Sequence, residues 1–248
     1  MQETLETRLE KLKHLIKTND HIIFFGGAGV STESGIPDFR SKDGLYNQHD
    51  INFEKYQPEY LLSHTCLMKE PKVFYEFYRQ KLDFRNTTPN ITHRKLAEWE
   101  SLGKKVSIIT QNIDGLHQAA GSKEVYEIHG TTTKNYCTNC GTNFAENAIF
   151  DATESIPICP VCKQGHIRPD VTLYEESLPD TFLDAQRLFM NKCLKIVAGT
   201  SLTVYPAANL IPRHFDSNLV IINRDETHAD NYAGLIFHEE LGTIFSKL

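Results

Sequence analysis

Ile22-Ile23-Phe24-Phe25-Gly26-Gly27-Ala28-Gly29-Val30-Ser31-Thr32 is the stretch on which the fold turns. A short β-branched and aromatic run that ends in clustered glycines reads as a buried strand breaking into a tight turn, with Ser31 or Thr32 placed to cap a following helix. Such a turn cradles phosphate: glycines let the backbone approach a pyrophosphate, while N–H groups and the positive end of a helix dipole face the anion. The dinucleotide fingerprint G-x-G-x-x-G is matched in part, because Gly27 and Gly29 fit but Thr32 holds the third glycine position. No Lys-Ser/Thr follows, so this is not a P-loop. Gly35-Ile36-Pro37-Asp38-Phe39-Arg40 lies just beyond, without helical periodicity. Gly, Pro and an aromatic beside an Arg suit a mobile cover over a ligand.

Working outward, Val106 to Thr110 reads as a strand that delivers Gln111-Asn112-Ile113-Asp114-Gly115-Leu116-His117. Asn112 or Asp114 would serve equally as a helix cap. Val125 to Ile128 is a further strand and presents His129-Gly130. Leu194 to Ala198 ends in Gly199-Thr200-Ser201, and Leu219 to Ile222 ends at Asn223. Amphipathic or aromatic helices are expected around Leu5 to Ile16, Pro71 to Leu82, Pro89 to Leu102, Phe182 to Phe189 and from Pro206. Alternation of strands and helices implies an α/β fold, a Rossmann-like parallel sheet with helices on both faces. Strand ends at Gly26, Thr110, Ala198 and Ile222 then bring small and polar residues to one edge, where such sheets bind ligands.

At 248 residues, 40 % apolar and 23 % charged, the chain has the make-up of an ordinary globular protein. Its net charge of −6 argues against a nucleic-acid partner, which calls for a basic face. Met1 to Asp20 has no continuous apolar core of the signal-peptide kind, and no apolar run nears the ~20 residues of a membrane span. A cytoplasmic protein that binds neither nucleic acid nor membrane is expected, as a monomer.

Cys137-x-x-Cys140 and Cys159-x-x-Cys162 are separated by 18 residues, the spacing of a four-thiolate zinc site. Thr131 to Thr172 has too few apolar residues for a core of its own and is expected to need the metal to fold. Four thiolates close the tetrahedron and leave no position for water, so the zinc reads as structural. A nucleic-acid-gripping zinc ribbon would need a dense Lys/Arg face, which this segment lacks. The expected division is a dinucleotide-binding domain over 1–130 and 173–248, interrupted by a zinc-binding module over 131–172. Cys66 and Cys193 fall outside the pattern and read as buried small residues.

Taken together, Gly27 to Ser31, Gly35 to Arg40, Thr110 to His117, His129-Gly130, the paired C-x-x-C, Gly199 to Leu202 and Asn223 resemble the sirtuins, NAD-dependent protein lysine deacylases, in this order from about His21 onward. The resemblance implies that NAD is held by Gly27, Ala28, Gly29, Thr32, Asp38, Phe39 and Arg40, with Gly199, Thr200, Ser201 and Asn223 on the adenosine half. Gln111, Ile113 and Asp114 would line the nicotinamide and ribose pocket, Asp114 accepting the carboxamide N–H. Asn112 and His129 would be the catalytic residues, His129 as general base toward a ribose hydroxyl. The implied reaction transfers an acetyl group from lysine to ADP-ribose and releases nicotinamide. A mono-ADP-ribosyltransferase, or a deacylase for longer or acidic acyl groups, is the alternative. The acylated peptide would add as a strand between two lobes, near Tyr174 to Glu176 and Val204 to Pro206.

Three departures from the family pattern carry expectations, the first being Gly27 where a Thr usually precedes Ala-Gly, a change expected to be tolerated. The usual Phe-Gly-Glu reads Tyr174-Glu175-Glu176, which brings a charge to the peptide cleft and with it a preference for basic flanking residues. Relatives that remove succinyl or malonyl groups carry Tyr and, three positions later, Arg; here Tyr75 is followed by Tyr78, with Arg79 next door. An unpaired buried carboxylate is costly, so neutral acyl groups are expected.

Overall fold

The computed structural model describes residues 3–38, 44–45 and 53–248. Phe39 and Arg40 lie outside the described residues. Six parallel strands form the main sheet: β1 (His21–Gly26), β2 (Lys105–Thr110), β3 (Glu124–Glu127), β7 (Leu194–Ala198), β8 (Asp216–Ile222) and β9 (Ala233–Phe237). Their order is β3-β2-β1-β7-β8-β9. The chain therefore runs outward from β1 in one direction, then returns and runs outward in the other. The reversal lies between β1 and β7, and a crevice opens there beyond the strand ends.

Both faces of the sheet are covered, which is why its strands are apolar without alternation. Ile22, Phe24, Ile108, Ile196 and Val220 face α1 (Leu5–Thr18) and the helix Ile91–Ser101, in one core. Ile23, Phe25, Ile109, Val197 and Ile221 face the helix Thr181–Phe189 and the turn Ala207–Leu210, in a second. The α/β, Rossmann-like expectation holds, and β9 adds a strand the sequence reading did not mark.

A third core gathers two separate segments. One carries α2 (Pro58–Leu61), α3 (His64–Lys69) and α4 (Pro71–Lys81). The other carries β4 (Gly130–Cys137), β5 (Asn143–Ala145) and β6 (Ile167–Val171) in an antiparallel sheet of order β5-β4-β6, with a short helix at Asn147–Phe150. Tyr78 of α4 stacks on Phe150, ring centroids 5.4 Å apart. The segment 131–172 thus borrows apolar rings from α4 in addition to any metal. The remaining helices are α5 (Ile91–Ser101), α6 (Leu116–Ala119), α7 (Asn147–Phe150), α8 (Thr181–Phe189) and α9 (Leu241–Phe245). Among the described residues no helix is long and apolar enough to cross a membrane.

Candidate functional site

The glycine stretch leaves β1 and departs from the helix expected after it. Two three-residue 3-10 turns follow instead, Ala28–Val30 and Thr32–Ser34. Gly35 at φ +87° ends the second, and Pro37 follows closely, so no α-helix and no helix dipole develops. Neither Ser31 nor Thr32 caps a helix. The Ser31 hydroxyl donates to Asp114 Oδ2 at 2.7 Å and accepts from Asn112 Nδ2 at 3.0 Å.

Close approach explains the glycines. The Gly29 N–H donates to the Gly199 carbonyl at 2.8 Å, and Gly27 N–H to Ala198 O at 3.2 Å. A Cβ on Gly27 would lie 2.7 Å from Thr200 Cβ, and one on Gly199, where φ is +59°, would lie 2.6 Å from Val30 N. The turns after β1 and β7 are thus interlocked across the topological reversal, without room for a methyl group.

The other strand ends converge on the same edge. Gln111 N–H continues the ladder to Gly26 O at 3.0 Å, and its side-chain amide donates to Thr200 Oγ1 at 3.0 Å. His129 Nδ1 lies 3.0 Å from the Gln111 carbonyl. A carbonyl only accepts, so Nδ1 carries the proton and Nε2 is the basic nitrogen. Asp114 stands half-buried behind Ser31, with Oδ1 accepting the Leu116 N–H at 2.9 Å, one residue ahead of the cap position of α6, which is Gly115. Burial pushes its carboxyl up, against the pull of the Leu116 N–H and the Ser31 hydroxyl.

A cleft of about 1090 Å³ spans this edge. It lies just above the range of about 300–1,000 Å³ for one small ligand, which leaves room for two reactants. Of the residues expected at the site, Ala28, Gly29, Thr32, Asp38, Gln111, Asn112, Ile113, His129, Gly199, Thr200, Ser201 and Asn223 line it. Gly27 and Asp114 stand behind that surface, Gly27 by its backbone and Asp114 through Ser31. Tyr174 to Glu176 and Val204 to Pro206 line the same cleft, as do Phe182, Leu183 and Glu239 to Leu241. The latter five carry no motif, and only the third dimension brings them to the cleft.

The Tyr174 backbone is held by Leu62 and His64, its N–H on Leu62 O and its C=O on His64 N, each at 3.0 Å. Glu176 receives both Arg168 Nη atoms, at 2.7 and 3.0 Å, and the Leu173 N–H at 2.9 Å. Burial would raise its carboxyl, but these donors and His64 prevail and hold it at about 2. Glu175 adopts φ +76° and turns its carboxylate onto Thr65, accepting from the backbone N–H at 2.9 Å and the hydroxyl at 2.6 Å. That charge is spent on the first turn of α3.

The four paired cysteines meet at the far end of the second lobe, their Sγ atoms all within 4.8 Å of one another. Cys137 and Cys162 are 3.6 Å apart, Cys140 and Cys159 3.8 Å. Zinc bonded to four sulfurs at about 2.3 Å spaces them by about 3.8 Å, so the donor set fits the ion. Backbone N–H groups of Asn139 and Gly165 point at Cys137 and Cys162, each at 3.4 Å, as suits thiolates. Cys66 and Cys193 are buried, as read from the sequence.

The model of the Sir2 family matches residues 27–206. The chain belongs to the Sir2 family. NAD-dependent protein deacetylases of Clostridium perfringens and Clostridium tetani are 46 % and 48 % identical to it, over 98 % of this chain and 99 % and 98 % of theirs. That of Staphylococcus aureus strain MRSA252 is 42 % identical over 97 % of both chains. Among solved structures, a Sir2 bound to acetylated peptide superposes with a TM-score of 0.83 at 31 % identity, and a Sir2 with p53 peptide and NAD+ with 0.82 at 32 %. Each covers 96 % of this chain and 96 % of its own.

Proposed function

We propose that the chain is an NAD-dependent protein lysine deacetylase that moves an acetyl group from lysine to ADP-ribose and releases nicotinamide. The observation that carries this reading is the position of His129, its Nδ1 proton committed to the Gln111 carbonyl, in a cleft large enough for a dinucleotide and a peptide side chain. NAD, the co-substrate, supplies the ribose carbon that loses nicotinamide and takes the acyl oxygen. Ala28, Gly29, Thr32 and Asp38, with Phe39 and Arg40 beyond the described residues, hold it from one side. Gly199, Thr200, Ser201 and Asn223 hold it from the other, with Gly27 in support.

His129 Nε2 is the general base, taking a proton from a ribose hydroxyl, with Nδ1–H held on the Gln111 carbonyl. Asn112 and Asp114 are oriented together through Ser31, and with Gln111 and Ile113 they shape the nicotinamide end. The peptide lies as an added strand between Tyr174–Glu176 and Val204–Pro206, with main-chain bonds giving affinity. Neutral acyl groups are the substrates: Tyr75 gives its hydroxyl to Ile167 O, and Arg79 gives Nε to Ile149 O and Nη2 to Glu154 O, away from the cleft surface. Zinc on Cys137, Cys140, Cys159 and Cys162 holds the second lobe and takes no part in the chemistry.

Nicotinamide release is the test, with NAD and one lysine peptide in acetylated, succinylated and myristoylated forms. Turnover on the acetyl peptide is expected, falling about 10²–10⁴-fold in His129→Ala with the NAD KM within a few-fold. Turnover confined to the succinyl peptide would sink the acyl assignment, and label from NAD retained on protein would point to ADP-ribosyl transfer.

A further inference from the structure

The loop from Ala28 to Gly35 is held within itself by the backbone bonds of its two 3-10 turns and at Gly29 by the Gly199 carbonyl, and side-chain links then tie it to the rest of the fold. Two of these links reach a residue that lines the cleft: Ser31 joins Asn112, with Asp114 behind it, and Glu33 accepts the Gly242 N–H at the head of α9 at 2.8 Å. The third comes from a residue that does not line the cleft. Asn90, buried at the start of α5, donates from Nδ2 to the Val30 carbonyl at 2.7 Å and to Ser34 Oγ at 3.1 Å. Its Oδ1 accepts the Thr92 N–H at 2.9 Å, the cap of α5.

The amide has one possible orientation, because the Thr92 N–H only donates and the Val30 carbonyl only accepts. Val30 ends the first 3-10 turn and Ser34 ends the second. One side chain therefore clips both turns together while fixing them to a helix of the main core. Val30 is itself 1 % exposed, so its carbonyl has no ready replacement in water.

We propose that Asn90 is a positioning residue for the dinucleotide, acting through Val30 and Ser34 to keep Ala28, Gly29 and Thr32 at the cleft surface. This rests on the reading of that loop as the NAD site. Helix capping alone would make Asn90 a stability residue; the donor half of the amide gives it a second role, and the two halves are separable. Asn90→Asp retains the acceptor for Thr92 N–H, and aspartate caps as well as asparagine. It puts an oxygen against Val30 O and removes both donors. Ser34→Ala removes one of the two loop contacts and leaves α5 untouched.

The experiment is steady-state nicotinamide release from NAD and an acetyl-lysine peptide, each varied in turn, with melting temperatures of the same samples. For Asn90→Asp the NAD KM is expected to rise about tenfold, with the peptide KM within twofold of wild type, as befits loss of two hydrogen bonds to a partly buried loop. For Ser34→Ala a rise of about two- to fourfold is expected, with an unchanged melting temperature. If Asn90→Asp fails to fold, Ser34→Ala decides alone. An unchanged NAD KM in the folded variants, or equal rises in both KM values, would overturn the positioning role while leaving the deacetylase reading in place. Absence of NAD-dependent turnover in the wild type would instead overturn the reading of the loop and this inference with it.

Discussion

The two walls of the cleft reach order by opposite means. The sheet wall is built from interlocked glycine turns and neutral amides and hydroxyls: Gly27 and Gly29 against Gly199 and Thr200, Ser31 against Asn112, Asn90 against Val30. The facing wall relies on charge, with Arg168 on Glu176, Glu175 on Thr65 and four thiols arranged for a metal. The first wall tolerates no added atom. The second tolerates atoms but depends on ionisation and on an ion.

Metal removal breaks the comparison most directly. β4 and β6 pair from Gly130 to Cys137 and carry the strand entry beside His129, whose carbonyl accepts the Thr172 N–H at 2.9 Å. Chelation, or Cys159→Ser, is expected to raise amide hydrogen exchange over about residues 137–166 and to abolish deacetylation, because apo four-thiolate modules lose their folding energy. β1, β2 and β7 should keep wild-type protection, since both cores on the sheet are independent of the cysteines. Loss of protection in those strands would show that the walls are not independently ordered.

The sheet wall is tested by adding one carbon. Gly199→Ala puts a Cβ 2.6 Å from Val30 N and 2.7 Å from Gly29 C, backbone atoms that have no rotamer to escape into, and adds an alanine at φ +59°. Overpacking of this kind costs about 1–3 kcal/mol, and the strain adds about 1. The measured outcome is a melting temperature lower by several degrees and an NAD KM at least tenfold higher. A variant with wild-type NAD KM would contradict the interlocking.

Much of this wall was legible because clustered glycines, strand endings and spaced cysteines are local signals. Five of the sheet's six strands and the small and polar residues that end them follow from patterns of a few residues, and the four-thiolate set from two such patterns 18 residues apart, whereas β9 was not marked. What escaped the sequence depends on distance in the fold. The aromatic run Phe74 to Tyr78 reads as core, but nothing in it says that the core lies on the cysteine module. The expected helix after Thr32 gives way at Gly35 and Pro37, and Ser31, read as a cap, bonds Asp114 more than 80 positions away instead. Asn90 has an ordinary cap signature, and its second bond set is invisible until Val30 is brought beside it. Glu175 was read as a charge for the peptide, whereas Thr65 takes its carboxylate.

Acid separates the two walls in time. Burial pulls the His93 imidazole down to about 4 and His117 well below its ordinary value; His93 Nδ1 lies 3.0 Å from Asn90 Oδ1, and the two rings lie 4.7 Å apart. An unfolded histidine binds its proton near pH 6.5, so the stability from a buried neutral His93 is whole above 6.5 and is lost as pH falls toward 4. The loss amounts to about 3 kcal/mol. Glu176 is held at about 2, against an unfolded value near 4.3. Its contribution is present above that value and is lost as pH falls toward 2. Melting temperatures taken from pH 7 to 3 should therefore fall in two steps. His93→Gln should shrink the upper step, leaving the part that His117 contributes, and Glu176→Gln should shrink the lower. A single step removed by Glu176→Gln would place all the acid sensitivity on the charged wall.

The smallest effect is expected at Glu175, where two terms oppose. A non-glycine residue at φ +76° carries about 1 kcal/mol of backbone strain, which Glu175→Gly relieves. The same change removes the carboxylate that accepts from the Thr65 N–H and hydroxyl in the first turn of α3, which opposes that relief. Glu175→Gly should then melt within about two degrees of wild type, while Glu175→Ala keeps the strain, loses the cap and melts several degrees lower. Because the carboxylate is already engaged, neither change should alter the ranking of acetylated peptides by flanking charge. A peptide series in which Glu175→Gly alone abolished a preference for basic neighbours would mean that the carboxylate leaves Thr65 for the substrate, and that the charged wall rearranges on binding where the glycine wall does not.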